Sequence, residues 1–120
     1  MIKLKRMYSL PDEEDGERYL VDRMWPRGVS KDQADLTDWL KDLAPSDALR
    51  RWFGHDPERW GEFRRRYKLE LHAEVKEKLI RKLANKAQNG TITLTYAAKD
   101  TEHNNAVVLK EVIENQLGAG

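Results

Sequence analysis

Three consecutive apolar residues, Tyr19, Leu20 and Val21, run straight into Asp22-Arg23 and then into Trp25-Pro26-Arg27-Gly28. A strand that is apolar at every position, rather than at alternate ones, has both faces covered, as strands of layered α/β domains do. The strand must end soon after Arg23, because Pro26 lacks an N–H and Gly28 permits positive φ. Two more segments read as strands. Residues 2–8 (IKLKRMY) alternate apolar and basic side chains, and residues 91–96 (TITLTY) alternate Ile92, Leu94 and Tyr96 with β-branched threonines. The expected fold class is α/β: a small, mostly parallel sheet of about three strands (residues 2–8, 18–23 and 91–97) packed with several helices. A chain of 120 residues holds one modest core. A single α/β domain over residues 1–117 and a disordered tail at 118–120 are expected.

Helix signals concentrate in the middle and at the end of the chain. A short helical turn is expected from Ser30, and Leu36, Trp39, Leu40 and Leu43 have the spacing of a two-turn helix. Ser46 is a helix N-cap for a segment with Leu49, Trp52 and Phe53 inward, which Gly54 ends. Asp56-Pro57 starts another, with an apolar stripe through Trp60, Phe63, Tyr67, Leu71, Val75, Leu79, Leu83 and Ala87. At 100° per residue that stripe drifts by about half a turn, so the helix is expected to break near residues 71–75. Asn89-Gly90 is a turn. Asp100 or Thr101 is expected to cap a last helix reaching about Leu117.

Composition removes whole classes of chemistry. The chain has no cysteine, which excludes disulfides, thiolate nucleophiles and cysteine-bound zinc. No apolar run approaches the ~20 residues of a membrane span, and MIKLKRMY lacks a signal-peptide core, so a cytoplasmic protein without membrane association is expected. His55, His72 and His103 share no ligand spacing, so neither a metal nor a cofactor is expected. Lys and Arg (22) nearly cancel Asp and Glu (21), but unevenly. Residues 9–47 hold 11 acids and 5 bases, while residues 58–90 hold 10 bases and 5 acids. Such a dipolar chain has either two solvated faces of opposite sign or a side that steers an anionic partner.

If the strands ending near Arg23 and Tyr96 are parallel, both exits open on one edge, where open α/β sheets bind ligands. The first exit supplies Asp22, Arg23, Trp25, Arg27 and, further on, Lys31; the second supplies Lys99, Asp100, His103, Asn104 and Asn105 at a helix start. Free N–H groups there suit an anion, and the basic side chains add phosphate- or carboxylate-binding donors. Arg23, Trp25, Arg27, Lys31, Lys99, Asp100 and Asn104 are therefore candidate ligand-binding residues, and Asp22, His55 and His103 candidate proton-transfer residues. Each has a structural alternative. Asp22 can be a buried carboxylate held by Arg23 or a loop N–H, Arg27 a lock on its own turn, and Asp100 and His103 helix caps.

Three ordered blocks, LVDRMWPRGVSKD, WLKDLAPSDALRRWFGHDPERWGEFRRRY and LTYAAKDTEHNNAVVL, resemble the signature blocks of the YeaO-like family, domain of unknown function 488. The resemblance covers nearly the whole chain and implies a compact α/β fold, but carries no established activity. More distantly, larger relatives whose segments correspond to LVDR at residues 20–23 and YAAKDTEHNN at 96–105 are similar in outline to rhodanese-like domains. Without cysteine, sulfur transfer and cysteine-phosphatase chemistry are excluded. The function expected is binding of a small anionic, phosphate-bearing or nucleotide-like ligand at the strand-exit edge, with acid/base chemistry if any occurs. The alternatives are nucleic-acid association through the basic residues 64–68, and a non-catalytic interaction module whose Arg/Asp pairs brace loops.

Overall fold

The computed structural model of the chain describes residues 1–119, with side-chain surroundings through Leu117, so the tail expected at 118–120 falls outside the side chains described. In chain order the elements are β1 (Ile2–Arg6), β2 (Glu17–Leu20), α1 (Lys31–Ala34), β3 (Asp38–Trp39), α2 (Asp47–Phe53), α3 (Trp60–Glu70), α4 (Glu74–Asn89), β4 (Ile92–Tyr96) and α5 (Asn105–Ala119). Short 3-10 turns lie at Glu13–Asp15, Lys41–Leu43 and Pro57–Arg59. The four strands form one sheet in the order β1-β4-β2-β3, and every pairing is parallel. The α/β class and the parallel sheet are as expected, with one more strand and tighter strand limits.

The extra strand, β3, lies where the spacing of Leu36, Trp39, Leu40 and Leu43 predicts a helix. Those four residues do not form one stripe. Leu36 and Trp39 pack with the cluster around Met7, Leu20 and Ala34, whereas Leu40 and Leu43 join the main core. Extended backbone at the sheet edge sends them to two sides, and the Thr37 and Leu40 N–H groups donate to the Arg18 and Leu20 carbonyls (2.7 and 2.8 Å). The long helical stripe breaks at residues 71–73, between α3 and α4, and Val75 beyond the break turns outward. The last helix begins later than expected. Asn104, not Asp100 or Thr101, caps α5 by accepting from the Val107 N–H (3.1 Å), and Asp100 holds the preceding turn.

The two faces of the sheet are stabilised differently. Ile2, Tyr19, Val21, Ile92, Leu94 and Tyr96 face the main core, where Phe53, Phe63, Tyr67, Leu83, Leu109 and Ile113 of α2–α5 bury apolar surface. The opposite face is largely polar and almost as dry. Thr93 and Thr95 are fully buried there, and their hydroxyls donate to the Asp15 and Tyr19 carbonyls (2.7 and 3.1 Å). Arg18 is 3% exposed; it donates to the Asp15 carboxylate at 2.6 Å and to the Ala34 and Asp35 carbonyls at the end of α1. Asp15 also accepts from Lys5 and from the Asp12 N–H. Among the described residues, every buried side-chain nitrogen and oxygen has a partner. Gly16, next to this network, has φ +64, and a Cβ there would lie 2.0 Å from the Thr91 carbonyl oxygen.

Asp15→Ala is expected to cost about 3–5 kcal/mol in denaturant unfolding, because Arg18 would keep a buried charge without its counter-ion. Burial alone would raise the Asp15 pKa, but Lys5, the Asp12 N–H and Arg18 together hold it below its ordinary 3.8. Its contribution is therefore complete above about pH 4 and lost as pH falls through the lowered folded-state value, a decline the alanine variant will lack. Gly16→Ala is expected to lose about 2 kcal/mol or more. Gly28→Ala, where φ is +76 but nothing lies within 4 Å, should lose only the roughly 1 kcal/mol of the backbone conformation.

Candidate functional site

All-parallel pairing puts the carboxyl ends of β1, β2 and β4 on one edge, and a cavity of about 720 Å³ opens there. That volume lies within the ~300–1,000 Å³ of small-molecule sites. The exit of β2 contributes residues 22–27, the exit of β4 contributes residues 97–100, and Asn104 and Asn105 bring in the start of α5. Arg50 and Phe53 come from α2, Phe63 from α3, Pro45 from the segment ahead of α2 and His55 from the turn after it.

Asp22 ties the exits together. Its Oδ2 accepts from the Ala97 N–H (2.9 Å) and its Oδ1 from Asn105 Nδ2 (3.1 Å). The same Asn105 amide donates to the Val21 carbonyl (2.8 Å), and Trp39 Nε1 donates to the Asp22 carbonyl (2.7 Å). Burial pushes the Asp22 carboxyl above its ordinary value, against the pull of the Ala97 N–H, the Asn105 amide and the positive charges of His55 and Arg50. Asp22 is thus held by a loop N–H, one of the two partners expected, and not by Arg23. Arg23 instead donates to the Pro45 carbonyl (3.0 Å) and lies 3.9 Å from Asp47 at the start of α2.

The other sequence-derived candidates divide into two groups. Trp25, Arg27, Lys99, Asp100, Asn104 and His55 line the cavity with Asp22 and Arg23. Trp25 donates to the Val29 carbonyl (2.6 Å) and stands edge-on to Trp39. Arg27 and Lys99 are exposed and, among the described residues, make no hydrogen bond or ion pair. His55 adopts φ +58 directly after left-handed Gly54, an uncommon conformation for a side-chain-bearing residue that places it at the mouth. Lys31 and His103 are not among the lining residues. Lys31 opens α1, while His103 Nδ1 lies 2.9 Å from Asp100 and its ring stands edge-on to Trp60 at 5.3 Å. The Glu102 N–H, the His103 ring and the His103 N–H hold the Asp100 carboxyl below its usual value.

Tyr8, Met24, Arg50, Phe53 and Phe63 complete the lining and were outside the sequence-derived set. Tyr8 had a usable signal. β1 is parallel to β4, so its exit must reach the same edge, and ending β1 at Arg6 places Tyr8 in that exit loop. Arg50 carried none, because its position depends on how α2 packs back over the sheet. Among the described residues, no group of three or more metal-ligating side chains comes together, and no helix is long and apolar enough to cross a membrane.

Comparison with known proteins adds a family and no activity. A family model described as the inactive DUF488-N3 subclade matches residues 1–119. An uncharacterized protein of Mycobacterium tuberculosis is 37% identical over 115 residues, covering 96% of this chain and 95% of its own length. The uncharacterized protein YeaO of Escherichia coli is 39% identical over 110 residues, covering 92% of this chain and 94% of its own. No solved structure matches the chain.

The Asp22 environment has a measurable consequence opposite in sign to that of Asp15. With a folded-state pKa above its unfolded 3.8, Asp22 favours folding at low pH and loses that contribution as pH rises from about 4 through the raised value. Stability profiles of the wild type and Asp22→Asn are expected to diverge in that window, with the wild type losing ground to the variant as pH increases.

Proposed function

This chain belongs to the DUF488 family, in the subclade described as inactive, and we propose that it binds a small anionic ligand at the strand-exit edge without transforming it. The observation that carries this reading is the pairing of a cavity open at the strand-exit edge with two cations that no described residue neutralises, Arg27 and Lys99. Arg23 and Arg50 line the same cavity, each within 4 Å of the Asp47 carboxylate, and the start of α5 adds the positive end of a helix dipole. Phosphate and carboxylate are the groups such donors recognise.

Two of the three proton-transfer candidates support binding over catalysis. Both Asp22 oxygens accept hydrogen bonds from the protein, and His103 is engaged by Asp100. His55, the third, stands exposed at the mouth. The basic residues 64–68 are the weaker place to seek an anion. Arg64 and Lys68 pair with Glu111, and Arg65 and Arg66 with Glu62, whose carboxyl they hold down to about 2.

Thermal denaturation with inorganic phosphate, pyrophosphate and nucleotides tests the reading. At least one anion is expected to raise the melting temperature in a concentration-dependent way. Arg27→Ala or Lys99→Ala should weaken that anion about tenfold, the size of one lost charge-assisted hydrogen bond, while leaving the unliganded melting temperature near wild type. A panel without any stabilising anion, or stabilisation indifferent to both substitutions, overturns it.

A further inference from the structure

The cavity is graded from apolar to cationic along its depth. Phe53 and Phe63 are 5% and 2% exposed, stack at 4.3 Å between ring centroids, and form its buried wall with Pro26 and Pro45. Arg27, Arg50, Lys99 and His55 are all exposed and stand at the rim. A lone phosphate held by the rim would leave most of 720 Å³ of largely apolar wall unfilled. The matching ligand carries its anion at one end and buries an apolar body ahead of it.

The chemistry of the wall narrows that body further. The lining rings Trp25, Tyr8, Phe53 and Phe63 favour a flat aromatic group over a flexible chain. Asp22 adds a carboxylate facing the same space, and each of its oxygens, with one protein donor apiece, keeps acceptor capacity. An acyl chain placed there would desolvate that carboxylate and return no hydrogen bond. A nitrogen heterocycle returns one through a ring or amino N–H.

We propose that the cavity takes a nucleoside monophosphate or a ligand of the same design, inserted ring-first, with Asp22 accepting from the heterocycle and Arg27 and Lys99 holding the phosphate at the rim. This inference rests on the anion-binding reading and adds the class and orientation of the ligand. Asp22 then has two duties, joining the strand exits and selecting a donor-bearing ring.

Calorimetric titration of the full chain with inorganic phosphate, ribose 5-phosphate, the four ribonucleoside 5′-monophosphates, the free nucleosides and octanoate separates the outcomes. At least one monophosphate is expected to bind about tenfold or more tighter than ribose 5-phosphate, the gain of a charge-assisted hydrogen bond and ring burial. Lys99→Ala should weaken the monophosphate but not its nucleoside. Asp22→Asn should reduce the preference over ribose 5-phosphate severalfold and retain binding of the latter. Should Asp22→Asn fail to fold, Trp25→Ala is expected to erode the same preference. Equal affinity for phosphate, ribose 5-phosphate and the nucleotides overturns this inference and leaves anion binding standing. Tighter octanoate binding overturns it in favour of an acyl body. Silence from every anion removes both.

Discussion

The parallel pairing of β4 with β1 on one side and β2 on the other is the constraint from which the site follows. Parallel strands discharge their chain ends on one edge, so loops more than seventy residues apart in sequence must meet there. Asp22 converts that proximity into a fixed geometry. Its carboxylate receives the first N–H beyond β4 and the side chain of the first residue of α5, so the exit of β2, the exit of β4 and the helix start share one carboxyl group. The cost is visible in the raised Asp22 pKa, which reflects a charge kept partly out of water. Three hydrogen-bonded elements, and the cavity between them, are what that charge secures.

The scaffold beneath this edge combines two unequal layers. Four helices bury an ordinary apolar core against one face. The other face is covered by the Glu13–Asp15 turn, loops and the four-residue α1, whose apolar cluster around Met7, Leu20 and Ala34 is too small to supply a full second apolar layer. A hydrogen-bonded network of Arg18, Asp15, Lys5 and two threonine hydroxyls fills that role. Buried ionic groups are seldom more stabilising than well-packed hydrocarbon, but they tolerate few alternative arrangements once paired. Arg18 binds the end of α1 and the turn at Glu13–Asp15 to β2, which holds the second face in register while leaving the opposite edge open.

Much of the architecture was legible in the residues because local signals agreed with the tertiary outcome. The unbroken Tyr19-Leu20-Val21 run, the TITLTY alternation and the half-turn drift of the long helical stripe each led to the right element or break. Failures arose where one spacing served two surroundings. Leu36, Trp39, Leu40 and Leu43 fit a helical period, yet they belong to different clusters on the two sides of the sheet edge. The threonines of β4 read as ordinary strand formers, and nothing local marked them as fully buried hydroxyls with carbonyl partners. Of the candidate site, the two strand exits were readable from topology. Arg50 and the Phe53–Phe63 wall were not, because they reach the cavity only through helix packing.

The resulting picture is an edge with an apolar interior, exposed cations at its rim and the Asp22 carboxylate joining the strand exits beneath them. Backbone amides at residues 22–27 and 97–105 are the groups whose surroundings a bound ligand must change. Amide chemical shifts of the uniformly ¹⁵N-labelled protein, followed during addition of a nucleoside monophosphate, test this most directly. Saturable shifts concentrated in those two segments and at Phe53–His55 are predicted. Saturable shifts confined to α3 and α4, with the strand exits unmoved, would contradict it.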